Sequence, residues 1–600
     1  MTPASVALFH LSARFSFDAR AAGRSTGFLV DDAHLRVEAL NLHPAASCTH
    51  VDDKTFVIWG NPIVDGKVSY KAVIERFARH REIDSFARDL NGSFLILIYD
   101  RTAKTLSIIN DRFASLAIYY RRDSHGLSIS TSFKSLLDEV LRNGDAAIAP
   151  EVAFEFLYFR RLFGTHTYDR NIQYLDSASI LTVAAQDSTL RIEKYWLPSF
   201  DQNHPSTASA ARELAEALQA SMTAHMSDDR QFGLMLSGGL DSRALLAAAP
   251  RAPVCFTSGL TRNNEFNVAA ELAAVCKAEH IFMQRPEDML NTVVDDSVWL
   301  AGMQIYPEFQ FAPFRDTVTP KANTIFLGLA LDVFFAGLYQ PKKPLRLAGR
   351  DTLMYRLQPL GGDLTGAFMN GVSYRLKTSN PWDIVKAGHR PRLTDAIRAS
   401  VATILDRAKD LGADRYDQWE YMHLHNFSRH YSFPMAASIR GWADCRIPAL
   451  ENRLFDLAFA ISPRDKANWA VLMRGIELCN PATMRIRNAN TNISARRSLA
   501  TQTAINWSRG ALNRVMRGHF RALPPWWERS WPPAHHAFEH NPRIRELAAG
   551  LPDSPALHRL DFLDTDRIRS LVAEQLDGRR DHSILINLLI TLDRCLTPRT

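Results

Sequence analysis

Residues Phe232 to Ala247 read F-G-L-M-L-S-G-G-L-D-S-R-A-L-L-A, and no other run constrains this chain as much. Gly233 to Leu236 is an apolar lead-in suited to a buried parallel strand. Ser237-Gly238-Gly239 is a turn of small residues, and from Ser242 the pattern is that of a helix packed through Leu245 and Leu246. A strand passing through so tight a turn into a helix aims several backbone N–H groups at one point, where they can hold phosphate. The carboxylate of Asp241 in such a cradle makes electrostatic sense only with a cation between it and the anion. The run therefore predicts a site for the pyrophosphate of ATP with Mg2+, formed by Leu236, Ser237, Gly238, Gly239, Asp241 and Ser242. An ordinary strand–helix turn is the alternative.

The 600 residues leave room for roughly two to four domains. Hydrophobic residues at 46% and charged residues at 22% are usual for a globular enzyme, and a net charge of +7 permits anionic ligands without arguing for nucleic acid. The six cysteines are scattered with no CxxC pair, which argues against a metal knuckle or disulfide framework and fits a reducing cytoplasm. The opening M-T-P-A-S-V-A-L-F-H-L lacks a signal-peptide pattern, and no apolar run approaches the ~18 residues of a membrane span, so no membrane partner is expected.

Residues 1–200 are rich in short strands (5–12, 55–59, 93–100, 105–110, 126–131), with a helical stretch at 69–90. This suggests sheet packed on sheet or a layered α+β domain. A polar, proline-bounded stretch at 198–207 reads as a linker. From 208 to 600 the pattern changes to strand–turn–helix units, with further strands at 254–257, 280–283 and 324–328, then a mainly helical remainder from about 350. Such units imply a doubly wound parallel sheet with ligands at the carboxyl ends of its strands.

The S-G-G-L-D-S loop is followed by F-T-S-G-L with Glu265, by L-G-L-A-L-D-V-F-F-A-G-L at 327–338, and by D-C-R-I-P-A-L-E at 444–451. Together these resemble the asparagine synthetase-like family of ATP pyrophosphatase amidoligases over nearly the whole chain. The resemblance implies that Thr257 and Ser258 lie beside the adenosine, with Glu265 as a further acid. It implies that Gly328 and Asp332 belong to the second nucleotide loop, with Asp241 and Asp332 as Mg2+ ligands. Physically, two carboxylates at adjoining strand ends can hold Mg2+ against a triphosphate. Asp332 taken alone could be a helix cap or a salt-bridged structural acid, and Glu265 a helix N-terminal acid. Arg446 matches a scaffold position with a buried ion pair. Arg487 aligns with a lysine that family members carry near the phosphates, and a surface arginine is the other reading. Asn91-Gly92-Ser93-Phe94, Asp111-Arg112-Phe113 and Ser132-Phe133-Lys134 resemble the glutamine amidotransferase half of asparagine synthetase. That half implies an Ntn-type β-sandwich with helices.

Three departures narrow the expectation. The family's amidotransferase half begins with cysteine after the initiator methionine, whereas Thr2-Pro3 stands here and Cys48 is internal, so this half is expected to be inactive. Leu329 replaces the glutamate three residues before the second aspartate of asparagine synthetase, and Val333 replaces the acid after it, leaving an apolar acceptor side. The β-lactam synthetases carry a tyrosine at the position of Leu329 and a glutamate some way downstream, a place for which Asp363 is the candidate amine-activating base. The combination most resembles the lasso peptide cyclases. It implies ATP- and Mg2+-dependent adenylation of an Asp or Glu side chain of a precursor peptide, attack by the peptide's own α-amine, and partners that bind and cleave the leader. Trp526, Trp527 and Trp531 in the proline-rich tail are candidate peptide contacts or core anchors. An ammonia-using asparagine synthetase-like enzyme, a β-lactam synthetase-like cyclase and an inactive scaffold are the other readings.

Overall fold

A computed structural model describes residues 10–19, 28–80, 82–200, 204–286, 289–308, 310–376, 379–515 and 533–599. Thr2, Pro3, the first half of the expected opening strand, and Trp526, Trp527 and Trp531 lie outside the described residues.

Strands of period two set the N-terminal architecture. One antiparallel sheet runs in the order Ile172–Tyr174, Tyr119–Asp123, Gly126–Ser130, His10–Ser16, Leu35–Leu40, Val30–Asp31. A second runs Leu190–Lys194, Ser179–Ala184, Thr105–Asn110, Asn91–Asp100, Lys54–Val64, Ser47–Val51. Alternate residues of the second sheet, including Val57, Trp59, Leu95 and Leu97, face Leu11, Phe15, Val37 and Leu127 of the first. Their neighbours Phe56, Ile58, Ile96 and Ile98 face outward, beneath Val73 and Phe86. These two belong to the helices Tyr70–Phe77 and Ile83–Asp89, so the expected helical stretch is two helices broken near His80. Sheet lies on sheet, with helices covering one outer face.

The second half is built on a five-stranded, wholly parallel sheet ordered His280–Gln284, Val254–Gly259, Phe232–Met235, Thr324–Leu327, Asp444–Arg446. Its three inner strands are mainly apolar because both faces are covered: Leu234, Cys255, Ile325 and Phe326 have no exposed surface. Phe232–Met235 is central. The next two strands lie on one side of it, and the chain then crosses to place Thr324–Leu327 on the other. The loops leaving these two neighbours diverge, opening a crevice at the topological switch point. This connectivity brings Asp241 and Asp332 together although they are 91 residues apart.

One element was missed in the sequence. Lys342–Leu347 and Arg350–Leu357 form an antiparallel hairpin turning at Ala348-Gly349, both left-handed, where a helical remainder had been expected to begin. Alternation on either side of A-G was the available signal.

The two halves are joined through polar contacts. Arg446 is fully buried, ion-paired to Asp444 (2.8 Å) and Asp228 (2.5 Å), as its scaffold position implied. The other oxygen of Asp444 accepts from Asn61 Nδ2 (3.0 Å). Asn91 Nδ2 donates to Glu451 (3.2 Å), and Asn91 Oδ1 accepts from Asn452 N–H (2.9 Å) and Gly92 N–H (2.7 Å). The amide of Asn91, part of the amidotransferase-like signature, is thus committed to holding the halves together.

Candidate active site

The loop Ser237–Leu240 leads into the helix Asp241–Ala248. Ser242 ties it: its hydroxyl accepts from Ser237 N–H (2.9 Å) and lies 3.0 Å from the Ser237 hydroxyl. The turn is thereby held while the first N–H groups of the helix, which have no intrahelical partner, point toward the crevice. The neighbouring loop is pressed against it, since a Cβ on Gly328 would come within 2.6 Å of Ser242 N. Gly238 is similarly enclosed, by Ala489, whose N–H donates to the Gly238 carbonyl (3.1 Å).

Beneath the loop lies Arg243, a residue sequence reasoning overlooked. It has no exposed surface, and its guanidinium donates to the carbonyls of Arg487 (2.7 Å), Thr483 (3.1 Å), Ile486 (3.1 Å) and Gly238 (3.4 Å). It therefore locks the phosphate loop to the 483–491 segment.

Asp332 sits in the first turn of the short helix Leu331–Phe335, and its N–H lies 3.4 Å from Asp241 Oδ2. Both carboxylates open onto a cavity of about 600 Å3, a size usual for small-molecule sites. Protein closes round them tightly enough that burial raises both carboxyls above their usual range; for Asp241 the neighbouring charge of Asp332 adds to the rise. Two such acids cannot both ionise unless a cation lies between them. Among the described residues no group of three His, Cys, Asp or Glu could hold a metal. Two carboxylates suit Mg2+, which keeps waters and substrate phosphates as its remaining ligands. Lys342 supplies a further charge behind the wall. Its ammonium lies 4.5 Å from the Trp469 ring and 5.2 Å from that of Tyr355, burial pushes it down to about 8, and Asp332 opposes that fall.

The second loop carries strain. Ala330 holds φ +82°, a left-handed conformation that favours glycine. Ala330→Gly is expected to stabilise the protein by about 1 kcal/mol, read as a higher urea midpoint with an unchanged slope.

The remaining sequence candidates separate. The Thr257 hydroxyl donates to the Leu236 carbonyl (2.7 Å) and accepts from His280 Nε2 (2.9 Å), while Ser258 is buried at the end of the same strand. Ser237, Gly239, Asp241, Gly328 and Asp332 line the cavity; Leu236, Gly238, Ser242, Thr257 and Ser258 support it from behind. Glu265 occupies the first turn of the helix Asn264–Val275, away from the cavity lining. Arg487 turns its guanidinium onto Glu271 (3.0 Å), and the cavity is met instead by Asn488, Asn490 and Thr491 from the same segment. The structure does not bring Asp363 to the site. It is exposed, caps the helix Leu364–Gly371 by accepting from Gly366 N–H (2.9 Å), and pairs with Arg398 (2.8 Å). A hairpin intervenes where simple spacing had counted forward from Leu329. Asp363→Ala should leave kcat unchanged and slightly lower the melting temperature; a large fall in kcat at unchanged fold would restore it as a base.

Residues 213–596, well over half of the chain, match the asparagine synthase family, and residues 73–196 match the glutamine amidotransferase domain. The chain belongs to the asparagine synthase family. Members of that family are ATP-dependent ligases. The chain is 25% identical over 298 residues to a Mycobacterium tuberculosis protein carrying the name of a glutamine-hydrolysing asparagine synthetase, covering 47% of this chain and 45% of the relative. It is 25% identical over 273 residues to asparagine synthetase 1 of Bacillus subtilis, covering 44% of this chain and 42% of that one. It thus spans less than half the length of the curated relatives it matches. A solved glutamine phosphoribosylpyrophosphate amidotransferase from B. subtilis aligns with 53% of this chain and 75% of its own at 9% identity, with a TM-score of 0.21, too slight a likeness to bear on the fold. No helix among the described residues is long and apolar enough to cross a membrane.

Proposed function

We propose that this protein is a lasso peptide cyclase. On this reading it adenylates an Asp or Glu side chain of a precursor peptide with ATP, and the peptide's own α-amine then closes a macrolactam, releasing AMP and pyrophosphate. The observation that carries it is the contrast within one cavity. Its nucleotide end keeps Asp241 and Asp332, whereas Leu329, Val333, Leu338 and Met435 line the same space where a charged acceptor site would need polar partners. Free aspartate would bury an α-carboxylate and an ammonium there, at a cost of several kcal/mol when unpaired. An internal Asp or Glu of a peptide carries neither, since both groups are tied up in peptide bonds, and the α-amine that attacks must do so in its neutral form.

Mg2+ held by the two aspartates would neutralise charge on the triphosphate during adenylation. Ser237, Gly239 and the helix N-terminus would orient the pyrophosphate, Arg243 would hold the loop in register, and the apolar wall would keep water from the activated acyl group. A prefolded peptide brings amine and acyl carbon together, and such proximity is worth many orders of magnitude in rate. The partners this reading requires are the precursor peptide, a leader-binding protein and a leader peptidase, acting in the cytoplasm.

The test is incubation with Mg-ATP, a candidate precursor and its leader peptidase. A product lighter by one water, with AMP and pyrophosphate, supports cyclisation; ADP and phosphate would refute adenylation. The curated relatives are named glutamine-hydrolysing asparagine synthetases, which lends slight support to a second reading, an asparagine synthetase-like enzyme that takes free ammonia, and asparagine formed from aspartate and ammonia in the same assay would establish it.

A further inference from the structure

Tyr431, on the segment 427–435, lines the cavity together with Tyr339, just past the second loop. Its neighbours fix what its hydroxyl can do there. Ser432 donates its backbone N–H to His430 Nδ1 (3.2 Å). A ring nitrogen that accepts an N–H carries no proton, so the imidazole is neutral and its hydrogen is on Nε2. Burial, with Arg161, His423 and Arg160 around it, holds the imidazole well below its usual range, in agreement. Nε2–H donates to the Tyr339 hydroxyl oxygen, which leaves the Tyr339 hydrogen for the Tyr431 oxygen, 3.1 Å away. The Tyr431 oxygen is thus already an acceptor. Its own hydrogen has no acceptor among the described residues and is left for the cavity.

Two features strengthen that O–H as a donor. Arg160, at the end of the helix Pro150–Phe159 in the N-terminal half, sets its guanidinium 4.6 Å from the Tyr431 ring centre. A cation on the ring face draws electron density from the phenol. The hydrogen bond received from Tyr339 polarises the hydroxyl in the same sense. Its place in the cavity is equally specific. Burial raises the Tyr339 phenol well above its usual range, with Tyr431 and the charge of Asp332 adding to the rise, so the hydroxyls lie within electrostatic reach of the second aspartate. On the other side stand Leu329, Val333 and Met435, which offer no hydrogen bond. The chain of donors therefore ends where the nucleotide end meets the apolar wall, which is where a carboxylate joined to the α-phosphorus must place its acyl carbon.

We propose that Tyr431 is an oxyanion donor: its O–H, directed by His430 through Tyr339, donates to the carbonyl oxygen of the acyl-adenylate and holds the negative charge that forms there as the amine attacks. This rests on the adenylating reading above. In the step, the nitrogen lone pair forms the C–N bond and the π pair of the carbonyl moves onto oxygen. That pair re-forms the carbonyl as the bond from carbon to the phosphate oxygen breaks. AMP leaves with the bonding electrons, and one proton passes from nitrogen to its phosphate oxygen. Tyr431 keeps its own hydrogen throughout and touches the substrate; Tyr339 and His430 are positioning residues.

Hydroxylamine separates this role from one in placing the amine, because it attacks the same carbonyl without the peptide's amine. An N-acetylated core peptide, which can be adenylated but cannot cyclise, isolates the first half-reaction. Tyr431→Phe should keep exchange of pyrophosphate into ATP with that peptide within about threefold, while hydroxylamine trapping of the bound adenylate, and cyclisation of the unblocked peptide, both fall on the order of 100-fold. His430→Gln, which keeps an N–H donor, should recover part of what His430→Leu loses in both reactions, with exchange the same in the two variants. Undiminished cyclisation in Tyr431→Phe, trapping retained while cyclisation falls, or an equal fall in exchange overturns the assignment. Absence of exchange in the unsubstituted protein would instead sink the adenylating reading, and this assignment with it.

Discussion

Asp332→Asn is expected to abolish ATP-dependent turnover while making the metal-free protein more stable. The two effects have one cause. Asp241 and Asp332 are placed where only a cation makes both charges tolerable, so they serve the bound state at the expense of the free one. Loss of a ligand removes several kcal/mol of charge stabilisation, which corresponds to roughly a 1000-fold fall or more in rate. The sign of the stability effect follows from linkage. Both carboxyls have their folded-state pKa raised above the usual carboxylate range, so the stability they contribute is complete below that range and is lost as pH rises through the folded value. Metal-free wild type should therefore show a urea midpoint that falls from pH 4 toward neutrality. Asp332→Asn should flatten that profile and raise the midpoint at neutral pH. Adding Mg-ATP should stabilise wild type and not the variant. Full turnover in Asp332→Asn, or in Asp241→Asn, would refute the metal assignment.

Arg243→Met should be the most damaging change that touches no ligand. Four main-chain carbonyls lose a guanidinium donor; Gly238 and Ile486 keep the N–H groups of Ala489 and Ala495, and an unmet buried acceptor among the rest costs about 1–3 kcal/mol before relaxation. A net loss of about 3 kcal/mol is expected, measured by urea denaturation, with KM for ATP raised more than about tenfold because the Gly238 turn is no longer tied to the 483–491 segment. Burial lowers the guanidinium only to about 10, so it remains charged at neutral pH. Arg243→Lys should recover little, since one ammonium cannot span carbonyls that a planar fork reaches together. An unchanged KM in Arg243→Met would show that the tether is not needed for nucleotide binding.

How far each residue could be read from the sequence follows from what its neighbours are. Asp241 was legible because strand, turn, acid and helix are consecutive, and a carboxylate in a phosphate cradle demands a cation whatever surrounds it. Asp332 was legible through the second loop's pattern; its approach to Asp241 required the parallel pairing of Phe232–Met235 with Thr324–Leu327. Asp363 was placed by counting along the chain, and the count ran through a hairpin that takes the chain away from the crevice. Arg487 occupies the expected segment, yet its main chain faces the loop while its side chain meets Glu271, because adjacent residues in a short hairpin point to opposite faces.

The sequence by itself determined the nucleotide half of this protein: a parallel-sheet crevice, a phosphate turn, two acids and hence ATP with Mg2+, because those features are local or lie at strand ends. Only the tertiary structure shows what else stands on the wall of that cavity. Leu329 and Val333 announced an apolar wall, but Tyr339 lies on it in a hydrogen-bonded chain with His430 and Tyr431, 91 and 92 residues further on. Nothing periodic links residues so far apart. Their meeting depends on how the 427–435 segment packs beside the sheet, and the tautomer that gives the chain its direction depends on one backbone N–H of Ser432.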